Sequence, residues 1–98
     1  MSIAEIAAPQ ARLQELRERI QEIDHTLIGL IAERVGLARE IGDAKRELGL
    51  PTLDPAREAV VVRRAGELAR EMGVGDEDVR YIFWHLIGLS RRAQMEGD

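Results

Sequence analysis

The chain has 98 residues, a formal net charge of −4 at pH 7, 33% charged and 3% aromatic residues, and no cysteine. This length suits one small domain, and the lack of cysteine excludes a disulfide scaffold and a cysteine-ligated metal centre. The acidic balance argues against a nucleic-acid partner, and no apolar run approaches the roughly 18 residues of a membrane span. With no signal-peptide pattern at the start, we expect a cytoplasmic protein.

The first predicted helix is long and carries a heptad stripe. Apolar residues recur at alternating spacings of three and four from Leu13 to Leu48, and only Arg34 interrupts them. We predict a helix over residues 12–48, about 55 Å long at 1.5 Å per residue. Gly49 follows directly and is a natural helix stop.

Two shorter helices follow. Asp54 followed by Pro55 is typical of a helix start, because aspartate caps the amino end and proline fits the first helical position. This helix ends at Gly73, and a third begins at Asp76 with an acidic first turn. The sequence therefore predicts an all-α chain with one long and two shorter helices.

The lengths of these helices do not match. The stripe of the first helix is about twice as long as that of either later helix, so two short helices cannot cover it while packing on each other. A second copy of the chain is the simplest cover. We expect an intertwined six-helix homodimer of residues 11–98, with loose segments at residues 1–10 and 96–98.

Polar side chains interrupt the apolar faces. Arg34 occupies a heptad core position, Lys45 lies about 20° from it around the helix, and Arg57 is in the first turn of the second helix. Ser90 and Gln94 continue the stripe of the third helix. Each residue alone has an ordinary structural explanation. Because buried cations are costly without an anionic partner, their combination predicts a pocket for a small anion.

Arg17 is placed differently. It lies about 100° around the helix from Arg34 and about 25 Å along it, so both cannot serve one pocket in one chain. In an antiparallel dimer of long helices, Arg17 reaches the pocket of the partner. His25 and His85 have no companion ligands at metal spacing, and we expect neither a metal nor another cofactor.

The polar residues stand in five short motifs: Leu16–Ile20 (LRERI), Ala32–Arg34 (AER), Ile41–Lys45 (IGDAK), Asp54–Glu58 (DPARE) and Ser90–Gln94 (SRRAQ). In this order and spacing the chain resembles the all-helical, type II chorismate mutases, a family that includes isochorismate–pyruvate lyases. The resemblance extends from Ala11 to Gln94. Each motif alone is common, whereas all of them in one register are specific.

The resemblance implies a homodimer with two active sites, each built mainly from one chain. Arg34 and Arg57 would bind the substrate carboxylates, and Arg17 would come from the partner subunit. Lys45 and Gln94 would donate hydrogen bonds to the ether oxygen of the breaking C–O bond. The expected reaction is the Claisen rearrangement of chorismate to prephenate in phenylalanine and tyrosine biosynthesis, in the shikimate pathway.

The same resemblance assigns the remaining site residues. Glu58 and the backbone around Asp54 would hold the ring hydroxyl, and Ser90 would assist at the ring carboxylate. Ile41 and Ile87 would form apolar walls. The rearrangement needs no nucleophile or metal, only positioning and charge stabilisation, which suits this inventory.

Three alternatives remain open. An isochorismate–pyruvate lyase uses the same scaffold, but it is not expected to keep an acid beside the loop arginine, and Glu58 follows Arg57 here. A mutase of the 4-amino analogue of chorismate fits as well, because Glu58 also accepts hydrogen bonds from an ammonium group. A helical dimerisation module or regulatory partner of a shikimate-pathway enzyme should have lost one of its costly cations, and none is lost.

Overall fold

The computed structural model describes residues 2–96 and consists of three α-helices. They are α1 (Ile3–Leu48), α2 (Pro55–Glu71) and α3 (Asp76–Met95). Residues 2–96 contain no strand. The predicted all-α chain with one long and two shorter helices is confirmed.

The start of α1 differs from the prediction. The helix begins at Ile3 rather than at residue 12, so residues 3–10 are helical where we expected a loose segment. A reciprocal capping box explains the early start: Ser2 N donates to Glu5 Oε2 at 3.1 Å, and Glu5 N donates to Ser2 Oγ at 3.3 Å. Pro9 lies inside the helix and does not end it.

The other boundaries follow the predicted signals. Gly49 (φ 69°) and Gly73 (φ 74°) adopt left-handed conformations just after α1 and α2, where a side chain would be strained. Asp54 Oδ1 accepts from Arg57 N at 3.1 Å and so caps α2. At the other end, α3 stops at Met95, and residues 97–98 of the segment expected to be loose lie outside the described residues.

The chain divides into two compact units, residues 1–32 and residues 33–98. In the first unit, a run of large apolar side chains on α1 is 38–67% exposed: Leu13, Leu16, Ile20, Ile23, Leu27, Ile28 and Leu30. In the second unit, the end of α1 packs with α2 and α3 around buried side chains that are all alanine except Ile87: Ala38, Ala65, Ala69, Ile87 and Ala93. Small residues in this core let the helix backbones approach closely.

A close backbone contact joins α1 to the end of α3. A Cβ added to Gly42 would lie 2.5 Å from the carbonyl oxygen of Gln94. Arg46 Nη1 donates to that same carbonyl oxygen at 2.8 Å, and Arg46 Nη2 donates to the carbonyl oxygen of Glu96 at 3.2 Å. Arg39 forms an ion pair with the Glu96 carboxylate. The last turn of α3, which carries Gln94, is thus fixed to α1.

The Gly42→Ala variant should be less stable than the wild type. Alanine gains about 1 kcal/mol of helix propensity, but its methyl group meets backbone that cannot rotate away, and such overpacking costs about 1–3 kcal/mol. We expect a net loss of up to about 2 kcal/mol in the free energy of unfolding, measured by urea denaturation at fixed protein concentration. Gly36→Ala is the matched control, because a Cβ at Gly36 meets nothing within 4 Å. A Gly42→Ala variant as stable as this control would contradict the close contact.

Candidate active site

One cavity of about 360 Å³ lies among the three helices of the second unit. Its walls contain every predicted site residue except Arg17: Arg34, Ile41, Lys45, Asp54, Arg57, Glu58, Ile87, Ser90 and Gln94. Leu37, Ala38 and Val61 complete the apolar part of the wall. Arg17 is exposed on α1 in the first unit. Residues spread over sixty positions of sequence therefore meet at one place.

Arg34 is held in the cavity wall by α3. Its Nη1 donates to Ser90 Oγ and, at 3.5 Å, to the carbonyl oxygen of Leu86. Ser90 Oγ in turn donates to the carbonyl oxygen of Leu86 at 3.0 Å. A guanidinium has five N–H donors, so these contacts orient Arg34 without using its full capacity.

Lys45 connects three segments of the chain. Its Nζ donates to the carbonyl oxygen of Thr52 and to Gln94 Oε1, both at 2.8 Å. An ammonium group can only donate, so Gln94 must turn its oxygen towards Lys45. The Nε2 group of Gln94 forms no hydrogen bond within residues 2–96 and keeps both N–H donors for a ligand. The third Lys45 N–H is likewise free of protein partners there.

The amino end of α2 supplies the loop side of the cavity. Asp54 caps the helix and so places Arg57 and Glu58 in its first turn, with Glu58 N donating to the carbonyl oxygen of Asp54 at 3.0 Å. The positive end of the α2 dipole adds to the attraction for an anion here. The cap that defines the helix start therefore also positions the site.

Three cations outnumber the two carboxylates of the cavity wall, Asp54 and Glu58. Arg34, Lys45 and Arg57 line it, and none of them forms an ion pair with a carboxylate in the described part of the chain. Arg34 and Lys45 are half-buried and Arg57 is exposed, and half-buried cations without anionic partners are unfavourable unless a ligand supplies the charge. The cavity is therefore built to bind a small anion through several cations and neutral donors.

Glu58 has a partner that sequence reasoning missed. Arg91 of α3 donates to Glu58 Oε2 from Nε at 2.6 Å and to Oε1 from Nη2, a bidentate pair. These hydrogen bonds hold the pKa of Glu58 below its ordinary value. Lys45 lowers the pKa further, whereas burial and Asp54 raise it. Glu58 is thus a carboxylate at neutral pH. The pairing joins positions 33 apart, and no periodicity within one helix signals it.

Neither histidine of the chain lines this cavity. His25 and His85 are both exposed, and no group of three or more His, Cys, Asp or Glu side chains in residues 2–96 is arranged to hold a metal ion. Across the same residues, no helix is long and apolar enough to cross a membrane.

Comparison with known proteins places this geometry in a family. A family model described as chorismate mutase type II matches residues 16–95. The chain is 36% identical over 85 residues to the chorismate mutase of Methanocaldococcus jannaschii, and the alignment covers 87% of this chain and 86% of that protein. It is 31% identical over 67 residues to the 4-amino-4-deoxychorismate mutase of Streptomyces venezuelae, covering 68% of this chain and 65% of that protein.

A solved structure is similar over most of its length. It is that of a conserved hypothetical protein from Pyrococcus furiosus, which aligns with a TM-score of 0.69 and 37% sequence identity. The alignment covers 85% of this chain and 95% of that chain. The matches thus extend over both the long helix and the cavity-forming segments.

Proposed function

The chain belongs to the chorismate mutase type II family, and we propose that this protein is a chorismate mutase, an isomerase that converts chorismate to prephenate. The observation that carries the proposal is the cavity lined by three cations without carboxylate partners, beside the donor pair of Lys45 and Gln94. Chorismate is a dianion with two carboxylates and an ether oxygen. The cavity offers matching groups for each.

The rearrangement is a concerted pericyclic step. The enolpyruvyl group must lie over the ring, one C–C bond forms as one C–O bond breaks, and no proton or electron leaves the substrate. Negative charge grows on the ether oxygen as the C–O bond lengthens. Catalysis then requires a fixed reactive conformer and preorganised donors at that oxygen.

The arginines supply the first requirement. Arg34 and Arg57 lie on different helices and bind the two substrate carboxylates, since a guanidinium matches a carboxylate with two parallel hydrogen bonds. Ser90 already contacts Arg34 and assists at the ring carboxylate. Two anchors on separate helices restrain the enolpyruvyl group relative to the ring.

Lys45 and Gln94 supply the second requirement. Their mutual hydrogen bond of 2.8 Å brings an ammonium group and an amide together, each with donors to spare. Both donate to the ether oxygen, where their interaction strengthens as charge develops. Glu58 and the backbone at Asp54 hold the ring hydroxyl, and Ile41 and Ile87 enclose the ring.

We also propose that the working form is a homodimer with shared sites. Seven large apolar side chains between Leu13 and Leu30 are at least 38% exposed, a pattern that a second copy of the same stripe would cover. Arg17 lies within that stretch and would enter the cavity of the partner subunit. A third arginine would then complete the cluster that binds the substrate carboxylates.

A second candidate is a mutase of 4-amino-4-deoxychorismate, favoured by the similarity to the Streptomyces venezuelae enzyme. A lyase acting on isochorismate is disfavoured by the acid at Glu58. A purely regulatory partner is disfavoured because it would bind no anion in the cavity, and the cations there would then lower stability without a function.

Product analysis by chromatography tests the proposal. Purified protein is incubated with chorismate, its 4-amino analogue and isochorismate in separate reactions, and we expect prephenate from chorismate with little salicylate from isochorismate. Lys45→Met is the matched control, because loss of one preorganised donor lowers kcat by about 10² to 10³ or more and shows that turnover belongs to this site. Salicylate as the main product, or turnover unaffected by Lys45→Met, would contradict the assignment.

Gln94→Glu should make activity depend on acid. The wild-type amide donates at every pH, whereas only the protonated acid can donate to the ether oxygen. We expect kcat/KM of the variant on chorismate to fall about tenfold per pH unit above the pKa of the new carboxyl group, with a flatter wild-type profile. Equal profiles between pH 5 and 8 would remove Gln94 from the ether oxygen.

Complementation tests whether Arg17 acts in the partner's site. Arg17→Ala and Lys45→Met homodimers should both be nearly inactive, but each heterodimer contains one intact site. After complete exchange of equal amounts, about one quarter of wild-type activity should return, because half of the dimers are mixed and each has one good site. Native mass spectrometry verifies the exchange. Activity that stays at the level of the separate variants would show that the sites are not shared.

A further inference from the structure

Arg91 contacts the cavity wall from outside. It does not line the cavity itself, but its side chain, 44% exposed, forms the bidentate pair with Glu58, which lines the cavity and is 15% exposed. The pair joins α3 to the first turn of α2. Arg91 therefore acts on any bound ligand through Glu58 rather than by contact.

The pair leaves Glu58 able to bind a ligand. An ionised carboxylate has about four lone-pair sites, and Arg91 uses one on each oxygen. Because a guanidinium fork is planar and rigid, the two hydrogen bonds also fix the plane of the carboxylate. Glu58 thus presents its remaining lone pairs in a set direction.

The charges around Glu58 decide which donor it accepts best. Lys45 faces it from α1, Arg91 from α3, and Asp54 from the amino end of α2. Arg91 offsets the negative charge of Glu58, so the cations of the cavity are no longer balanced by this acid. A neutral hydroxyl donor is indifferent to that change, whereas an ammonium group loses attraction and feels the nearby cations.

We propose that Arg91 is a positioning residue that sets substrate selectivity: by orienting Glu58 and offsetting its charge, it makes the site prefer a substrate with a ring hydroxyl over one with a ring ammonium. The inference rests on the proposed function and names the substrate class within it. It separates chorismate from its 4-amino analogue, a distinction that Glu58 alone does not make.

Three variants test the proposal with kcat and KM measured on chorismate and on 4-amino-4-deoxychorismate. Arg91→Gln removes the charge and keeps a hydrogen-bond donor, and it should shift the ratio of kcat/KM values at least tenfold towards the amino analogue. Arg91→Lys keeps the charge but loses the fork, and it should retain most of the selectivity with a lower kcat on both substrates. Arg92→Gln, the exposed neighbour outside the pair, should match the wild type.

The pH profile gives a readout that a merely structural role would not move. Arg91 is the main cause of the lowered pKa of Glu58, and without it burial and Asp54 raise that pKa against Lys45 alone. Protonation of Glu58 then begins at higher pH. As the pH falls, the kcat/KM of Arg91→Gln on chorismate should begin to decrease at a higher pH than that of the wild type.

The outcomes separate the two proposals. Wild-type turnover with an unchanged substrate ratio and pH profile in a folded Arg91→Gln variant would overturn the role of Arg91 and leave the mutase function standing. A ratio shifted equally in Arg91→Lys would also overturn it, because charge would not be the cause. Wild-type protein inactive on both substrates would overturn the proposed function and this inference with it.

Discussion

Three cations around one cavity, none of them in an ion pair with a carboxylate of residues 2–96, are the constraint on which the structure depends. Arg34, Lys45 and Arg57 come from α1 and α2, and folding must hold them together against their mutual repulsion. Neutral acceptors hold two of the three: Ser90 Oγ and the carbonyl of Leu86 hold Arg34, and the carbonyl of Thr52 with Gln94 Oε1 holds Lys45. Neutral acceptors orient a cation without cancelling its charge, so its positive charge can still attract an anionic ligand.

The small-residue core follows from the same constraint. Polar side chains of moderate length can converge on one cavity only if their helices lie close together, and alanines at the buried positions allow this. At Gly42 the helices are so close that the backbone of Gln94 contacts α1 directly.

Periodicity and capping chemistry predicted the helices because both signals are local. The heptad stripe and the Asp54-Pro55 start appear in the structure as α1 and α2. The Ser2–Glu5 capping box did not predict the start of α1, because no apolar stripe of the same strength follows it directly. The site residues were predicted from polar side chains that interrupt apolar helix faces and from the order and spacing of the family's motifs. Arg91 has neither signal: it is one of many exposed arginines until α2 places Glu58 opposite. Contacts between helices depend on how the helices pack against each other, and the residue pattern within one helix does not determine that.

In the proposed mechanism, the fold contributes to the rate through the donor pair of Lys45 and Gln94. Lys45 is held by two acceptors, and Gln94 is held by Lys45 at its side chain and by Arg46 at its carbonyl oxygen. Their remaining N–H groups are thus oriented by protein contacts before any substrate arrives, and little reorganisation is needed as charge develops on the ether oxygen. The supporting contacts reach from the loop at Thr52 to the last turn of α3. In the proposed mechanism the protein acts by positioning and by charge stabilisation, so the rate also depends on the contacts that hold the two donors in place.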